Sequence, residues 1–328
     1  MKYFLIIIGL IILLYVSLWV LSRKNYPVKF GISFNHNHAE SLGLDWKDVY
    51  ADMISELKPE YIRIAAMWSE IEKEKNEYYF ENVDFMMKLA EENNVKVTLV
   101  VGQKAPRWPE CHVPAWIATQ KSEDAKARLF NYISTIVDRY KESPSLEFWQ
   151  VENEPFIKFR FGDCSQYREE LVDEEIELVK EIDSNHPIII TDSGELSTWR
   201  RAIKTSDYFG TTLYRIIRNS KGKIFSYDWL PPAVYRWRAK IWGQDMNKMF
   251  VSELQAEPWF TSSNPTDTPL EIQEQTMNPT RLRAHMDYAK KIGVPRAYLW
   301  GVEWWYWVKE VRGDERYWNM VKNEINRE

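Results

Sequence analysis

Eight short apolar segments, each typical of a buried β-strand, recur along the chain and alternate with segments whose apolar residues have helical spacing. Strands that alternate with helices form a parallel sheet, and eight such units close into a barrel. We therefore predict an α/β fold, a (β/α)8 TIM barrel. An open doubly wound sheet is the alternative, but no glycine-rich phosphate loop follows the first strand. The predicted strands are Val28–Phe34, Tyr61–Met67, Val95–Gly102, Leu146–Val151, Pro187–Thr191, Tyr208–Tyr214, Met249–Ser252 and Arg296–Trp300.

The composition limits the kind of partner. The chain has 328 residues, enough for one barrel of about 250 residues with its loops. Its net charge of −5 comes from interspersed acidic and basic residues, so we expect no nucleic-acid partner. Sixteen tryptophans, several of them after predicted strands, suit a neutral polyhydroxylated substrate such as an oligo- or polysaccharide.

The amino terminus predicts a membrane association. Tyr3 to Leu21 is an apolar run of 19 residues between Lys2 and Arg23-Lys24, long enough for one transmembrane helix. A cleaved signal peptide is the competing interpretation, although its apolar part is usually shorter. We expect residues 1–24 to be a membrane anchor or signal segment, and residues 25–328 to be a catalytic barrel outside the cytoplasm. Balanced flanking charge leaves the orientation open.

Two glutamates follow predicted strands. Glu154 lies in Asn153-Glu154-Pro155 after the fourth strand, and Glu253 follows the seventh strand, 99 residues later (253 − 154). In barrel enzymes the chemistry lies at the carboxyl ends of the strands. Two carboxylates in one pocket are the minimum for cleaving a glycosidic bond, because one protonates the leaving oxygen and the other attacks or activates water.

This arrangement resembles the clan A glycoside hydrolases, a superfamily of cellulase-like and β-galactosidase-like barrels, over roughly residues 28 to 310. The resemblance implies a retaining β-glycosidase in which Glu154 is the acid/base and Glu253 is the nucleophile. It also implies that Arg63, on the second strand, bonds the nucleophile, and that Tyr214, which ends the sixth strand, lies near it. Asn153 is expected to bond the sugar 2-hydroxyl.

Further substrate-binding residues are expected among the polar and aromatic side chains at the predicted strand ends. Trp300 is the first choice for a platform on which a sugar ring stacks. Glu152 is expected to bond Arg63, and Glu257 to be a loop residue near the substrate. The remaining candidates are Asn35, His36, Trp68 and Trp304.

A metal-dependent hydrolase is a different class of enzyme to consider, because His36-Asn37-His38 follows the first strand. A metal site of that kind also needs histidines on the fifth and sixth strands, and these are missing from the sequence. We therefore predict no metal and no cofactor. Two other functions remain open, a transglycosylase on the same scaffold and a non-catalytic, membrane-tethered glycan-binding protein.

The two cysteines, Cys111 and Cys164, fall in the loops after the third and fourth strands. These loops are neighbours on one face of a barrel. The sequence therefore leaves two alternatives, a disulfide between the two cysteines and two free thiols. A bridge would stabilise the fold by roughly 4 kcal/mol on the chain-entropy estimate.

Overall fold

The computed structural model describes residues 2–159, 162–219, 221–260 and 265–327. Eight parallel strands form a closed barrel in which each strand pairs with its neighbours in sequence, and the first strand pairs with the last. The predicted TIM barrel is therefore confirmed. The barrel strands are β1 (Lys29–Ser33), β2 (Tyr61–Ala65), β3 (Lys96–Val101), β4 (Leu146–Val151), β5 (Ile188–Asp192), β6 (Tyr208–Leu213), β7 (Met249–Gln255) and β8 (Arg296–Trp300).

Helices surround the barrel and cover its outer face, and the side chains of the strands fill its interior. Both faces of the sheet are therefore buried, which is why its strands are nearly continuous apolar runs. A π-helix at Met53–Leu57 and short 3-10 helices at Ala115–Thr119, Glu169–Leu171, Met246–Lys248 and Pro265–Asp267 complete the elements. The α-helices are α1 (Lys2–Leu21), α2 (His36–Ser41), α3 (Trp46–Asp52), α4 (Trp68–Ile71), α5 (Glu81–Glu92), α6 (Ser122–Tyr140), α7 (Val172–Ile182), α8 (Arg200–Thr205), α9 (Ala233–Ile241), α10 (Leu270–Gln273), α11 (Pro279–Ile292), α12 (Val302–Arg312) and α13 (Arg316–Ile325).

The barrel interior changes from apolar to polar along the strands. Phe148 and Phe250 pack together near the amino ends of β4 and β7. Side chains two residues apart on a strand point to the same side, so Gln150 and Ser252 continue these rows toward the carboxyl ends. Both are buried. The apolar layer closes one end of the barrel and leaves the polar chemistry to the other.

Strand β7 is longer than the sequence indicated. The prediction ended it at Ser252, whereas the strand continues to Gln255 and all seven of its residues are buried. The pairing with β6 shifts between Thr211↔Val251 and Thr212↔Glu253, which leaves Ser252 as the extra residue of a bulge. Glu253 thus lies inside a strand, directly after a bulge, a device that often re-aims a side chain near an active site.

The connection after β6 contains a small antiparallel hairpin, Ile216–Arg218 with Ile224–Ser226, that the sequence analysis did not predict. The amino-terminal helix α1 is the one helix among the described residues that is long and apolar enough to cross a membrane, a test that a signal sequence also passes. Nearly all of it is exposed, and Leu18 is its buried residue. The helix also contacts α9.

Candidate active site

Glu154 is held by backbone geometry and by two threonines. The chain turns sharply after β4, with positive φ at Glu152 (61°) and Glu154 (44°), a conformation that non-glycine residues rarely adopt. The Glu154 amide N–H donates to Thr191 Oγ1 at 2.9 Å, and Thr212 Oγ1 donates to Glu154 Oε1 at 2.9 Å. Neighbouring strands therefore fix both the backbone and the carboxyl group.

The environment of Glu154 favours its neutral form. Burial raises the pKa of Glu154 well above its usual range, and the nearby carboxylates of Glu253 and Glu110 raise it further. A raised pKa favours the protonated form of the carboxyl group, which is the form that can donate a proton.

Glu253 has the opposite environment. Arg63 Nη1 donates to Glu253 Oε1 at 2.9 Å, and Tyr214 Oη donates to Glu253 Oε2 at 2.8 Å. Both carboxylate oxygens thus accept a hydrogen bond, one of them from a cation. Such charge-assisted bonds stabilise the ionised carboxylate and fix its orientation.

Arg63 joins the two strand ends. Its side chain is 1% exposed, and its guanidinium also donates to Gln150 Oε1 at 2.8 Å and to Asn153 Oδ1 at 2.7 Å. The Asn153 oxygen is therefore occupied, whereas the Asn153 amide nitrogen makes no hydrogen bond to any residue that the structure describes. That N–H₂ group is the part of Asn153 that can reach a sugar hydroxyl.

The loop after β3 supports this pair from one side, and the sequence analysis did not identify its charged residues. Lys104 Nζ lies 3.1 Å from Glu110 Oε2 and donates to the backbone oxygen of Glu154 at 3.0 Å. Cys111 and Cys164 form a disulfide, with their Cα atoms 5.3 Å apart, that joins this loop to the loop after β4. Of the two alternatives left open by the sequence, the structure shows the bridge.

A second charged cluster closes the β8 side of the site. Arg107, with φ at 99°, forms ion pairs with Glu257 and with Glu303, the latter at 3.1 Å. Its guanidinium also lies over the Trp300 ring, 4.3 Å from the centroid. Burial alone would raise the pKa of Glu257, but Arg107 and His38 together lower it to about 2.

A cavity of about 10 Å³ lies beside this cluster and is lined in part by Asn35, Arg63 and Arg107. That volume holds about one water molecule, so the side chains nearly fill this part of the site.

The same cluster contains residue types that can bind a metal ion. Ligand atoms of His38, Glu257 and Glu303 lie within 4.8 Å of one another. Arg107 pairs with both carboxylates, so a guanidinium already supplies the positive charge that these groups need. The residues fit an arginine-centred ion-pair cluster better than a metal site.

The structure brings together five of the predicted site residues, the two glutamates and three residues around them. These are Glu154, Glu253, Asn153, Arg63 and Tyr214. Two more lie beside the small cavity. Asn35 caps α2 through its side chain and donates its backbone N–H to Glu303, and Trp300 donates from Nε1 to Glu257 Oε1 at 3.0 Å.

Three predicted substrate-binding residues lie elsewhere. Trp304 and Trp68 are fully buried, because each belongs to a helix that packs against the barrel. Trp304 Nε1 donates to Gln273 Oε1 at 2.6 Å, and Trp68 stacks on Tyr132. His36 packs against Trp46, and burial lowers its pKa to about 4. These three side chains therefore lie apart from the two glutamates.

The predicted bond between Glu152 and Arg63 was also wrong. Both oxygens of Glu152 accept backbone N–H bonds from the loop after β3, at 2.7 Å from Gln103 and 2.5 Å from Lys104. The positive φ of Glu152 directs its side chain to that loop rather than to β2.

Comparisons with known proteins find similarity to glycoside hydrolases. The model of glycosyl hydrolase family 10 matches residues 21–176, just under half of the chain, and this range includes Arg63, Asn153 and Glu154. A comparison with curated proteins gives no match.

Solved structures share the fold. Native xylanase 10B from Thermotoga maritima is 16% identical, with 94% of this chain and 97% of that chain covered and a TM-score of 0.56. Xylanase 10B from Thermotoga petrophila RKU-1 in complex with xylobiose is 18% identical, covers 84% and 82%, and has a TM-score of 0.53. A β-galactosidase from the psychrophilic Marinomonas ef1 is 10% identical, covers 83% and 54%, and has a TM-score of 0.58.

The family 10 match over residues 21–176 and the shared barrel fold confirm the predicted resemblance to the clan A glycoside hydrolases. The predicted enzyme class, an O-glycosyl hydrolase, is confirmed with it.

Proposed function

We propose that this enzyme cleaves β-glycosidic bonds by a retaining double displacement in which Glu154 is the acid/base and Glu253 is the nucleophile. The observation that carries the proposal is the contrast between the two carboxyl groups. Arg63 and Tyr214 bind both oxygens of Glu253, whereas burial and the neighbouring carboxylates raise the pKa of Glu154. Environments that separate two carboxyl groups in this way assign a proton donor and an ionised partner.

The chemistry proceeds in two steps. Glu154 gives its proton to the leaving glycosidic oxygen while a Glu253 oxygen attacks the anomeric carbon, which forms a covalent glycosyl-enzyme. Glu154, now ionised, then takes a proton from water, and that water cleaves the glycosyl-enzyme bond. Asn153 offers its amide N–H₂ to the sugar 2-hydroxyl, a contact that strengthens as the ring becomes oxocarbenium-like.

Replacement of Glu253 tests the nucleophile. We expect Glu253→Gln to abolish turnover of an aryl β-glycoside while the far-UV circular dichroism spectrum is retained, and added azide to give an α-glycosyl azide in the smaller Glu253→Ala. The control is Glu40→Gln, a glutamate exposed on α2. Activity close to wild type in Glu253→Gln would refute the assignment.

Replacement of Glu154 tests the acid. Glu154→Gln should slow substrates with poor leaving groups far more than activated aryl glycosides, which need little protonation. Equal losses on both kinds of substrate would show that another group is the acid. Inactive Glu154 and Glu253 variants would also separate an enzyme from a glycan-binding protein, since binding alone does not require either carboxylate.

The substrate class and the location belong to the same proposal. We infer an oligo- or polysaccharide substrate, supported by xylanases of this fold whose structures contain xylobiose or xylotetraose. We also infer that residues 1–24 anchor the enzyme in a membrane through α1 and that residues 25–328 form the catalytic barrel outside the cytoplasm. Transglycosylation uses the same two glutamates, so product analysis with an added sugar acceptor distinguishes it from hydrolysis.

A further inference from the structure

Helix α1 is attached to the barrel at two points along the connection from β6 to β7. Tyr15 Oη donates to the backbone oxygen of Trp229 at 2.6 Å, just before α9 begins. About two helical turns later, Ser22 Oγ accepts the backbone N–H of Ala233, the first residue of α9, at 2.9 Å. Helix α1 and the segment that leads into α9 therefore run side by side in the same direction.

The next contact lies further in the same direction. The Tyr26 N–H donates to the backbone oxygen of Lys290, in the last turn of α11, at 2.8 Å. Helices α9 and α11 both connect the carboxyl end of one strand to the amino end of the next, so they run away from the catalytic face. Since α1 runs in the same direction, its amino-terminal part projects on the side of the catalytic face.

The length of α1 shows how far it projects. The part of α1 from Lys2 to Tyr15 is roughly 20 Å long at 1.5 Å per residue. Because Tyr15 contacts Trp229, this part extends past Trp229 and away from the barrel. From Tyr15 forward to Leu21 the helix rises by roughly 9 Å, so the apolar run continues beside the barrel. A helix that spans about 30 Å of hydrocarbon needs nearly all of this run, which brings the adjoining barrel edge to the bilayer surface.

Exposed apolar side chains on the barrel are concentrated on the same face. Outside α1, six of the nine large apolar residues that are exposed in the described part of the chain follow the carboxyl ends of strands β2 to β6. Trp229 is 60% exposed and Trp108 68%. The hairpin after β6 also carries Phe225 beside the exposed Lys221 and Lys223, a combination of apolar and basic side chains that suits a lipid headgroup region. The six residues are Tyr79, Trp108, Phe159, Leu196, Phe225 and Trp229.

From these contacts we propose that the catalytic face of the barrel is turned toward the bilayer that holds α1, with the Phe225 hairpin and Trp229 in the lipid headgroup region. The proposal rests on the membrane anchoring given under Proposed function. It also specifies the substrate, since the site then opens toward glycans fixed at the membrane surface, such as the sugar chains of glycolipids. Long soluble polysaccharides would reach the site poorly.

Spin labelling of the full-length protein in a phosphatidylcholine and phosphatidylglycerol bilayer tests the orientation. Cys111 and Cys164 are bridged, so a cysteine introduced by Phe225→Cys is the thiol that a nitroxide reagent modifies. We expect the label at position 225 to collide several-fold less often with a water-soluble nickel chelate than in detergent, and to be relaxed by oxygen, which partitions into lipid. The matched control is Val311→Cys, which is 53% exposed at the end of α12 away from the catalytic face.

Equal nickel accessibility at positions 225 and 311 in the bilayer would overturn the proposal. So would a mature protein whose mass shows that Lys2 to Leu21 has been removed. Both outcomes leave the chemistry assigned to Glu154 and Glu253 intact, and inactive variants of those glutamates leave the spin-label result intact. Failure of the orientation and failure of the proposed function are therefore distinguishable.

A kinetic comparison tests the consequence for the substrate. A small aryl β-glycoside should be cleaved equally fast by the enzyme in bilayers and in detergent, because it can diffuse into the space between the catalytic face and the bilayer. A long soluble β-glycan that is cleaved in detergent should be cleaved several-fold more slowly in bilayers. Equal rates for the long glycan in both states would contradict a catalytic face that is turned toward the membrane.

Discussion

At the scale of single residues, Glu154 and Glu253 differ through the groups placed around them. Arg63 and Tyr214 stabilise charge on Glu253, and burial opposes charge on Glu154. For a general acid, a raised pKa extends the protonated, active form to higher pH. The alkaline limb of the pH profile should therefore report the ionisation of Glu154, and Glu154→Gln should remove that limb.

A neighbour of Glu154 offers a sharper test of this electrostatic argument. Glu110 raises the pKa of Glu154 and pairs with Lys104 at 3.1 Å. Glu110→Gln removes a negative charge and leaves the Lys104 charge unneutralised, and both changes favour the ionised form of Glu154. We expect the alkaline limb of kcat/KM to move to lower pH, while Glu40→Gln leaves it in place. An unmoved limb in Glu110→Gln would show that the two carboxyl groups are not coupled.

Tyr214 supports the nucleophile through one hydrogen bond to Glu253 Oε2. A hydrogen bond to a charged group contributes about 1.5–3 kcal/mol, so Tyr214→Phe should lower kcat roughly 10- to 100-fold if the bond acts mainly in the transition state. The ring remains, so the melting temperature should change little. Tyr79→Phe, which removes a surface bond to Glu77, is the matched control. Unchanged kcat in Tyr214→Phe would remove this supporting role.

At the scale of elements, the disulfide joins the two loops that carry the acid and its neighbours. It closes a segment with a sequence separation of 53 residues, and the chain-entropy estimate for such a loop is about 4 kcal/mol. The double variant Cys111→Ser/Cys164→Ser should lose up to that amount of unfolding free energy in denaturant titrations. It should also lose activity, because Lys104 and Glu110 lie on the released loop. Retention of full stability and activity would show that packing alone holds the loops.

The sequence predicted the eight barrel strands because each is a short, β-branched or aromatic run buried on both faces. It did not predict the end of β7. Glu253 and Gln255 are polar, which is typical of a loop, although both are buried in the strand. It also did not predict the hairpin after β6, whose strands are three residues each and mostly half-buried or exposed. Short elements of this kind are set by tertiary contacts rather than by periodicity.

The candidate site was predictable where a residue type follows a strand directly. Asn153 and Glu154 satisfy that rule, Arg63 was found as a charge inside an apolar strand, and the structure brings the three together. Arg107 escaped prediction because it lies in a long loop with positive φ, and no local pattern reveals its partners. Trp304 was assigned to the substrate site, whereas the aromatic run after β8 forms a helix that turns this ring into the core.

At the scale of the whole molecule, the barrel buries more carboxyl groups than the proposed catalysis uses. Glu152 and Glu175 face each other between β4 and α7, and both are fully buried. Burial is the largest cause that raises the pKa of Glu152 to about 7, and it raises the pKa of Glu175 as well. The folded protein therefore holds protons that the unfolded chain releases.

This difference predicts how global stability depends on pH. A carboxyl group with a raised folded pKa destabilises the fold as pH rises from its unfolded value of 4.5 through about 7, because the unfolded state binds fewer protons in that window. Glu257, with a pKa lowered to about 2, acts in a separate window, since the stability it contributes is lost only as pH falls below 4.5. We expect the Glu152 and Glu175 pair to contribute a decrease in the unfolding free energy between pH 4.5 and about 7, opposed by His36, His112 and His285, whose pKa values burial lowers to about 4.

Glu175→Gln should flatten that decrease, because it removes one of the two facing carboxyl groups and relieves the repulsion on Glu152. Its unfolding free energy relative to wild type should rise with pH across the same window, as measured by denaturant titration at several pH values. Glu174→Gln is the matched control, because the neighbouring side chain on α7 is 49% exposed and pairs with Lys126. Parallel pH dependences for Glu175→Gln and the wild type would show that the buried pair does not hold the extra proton.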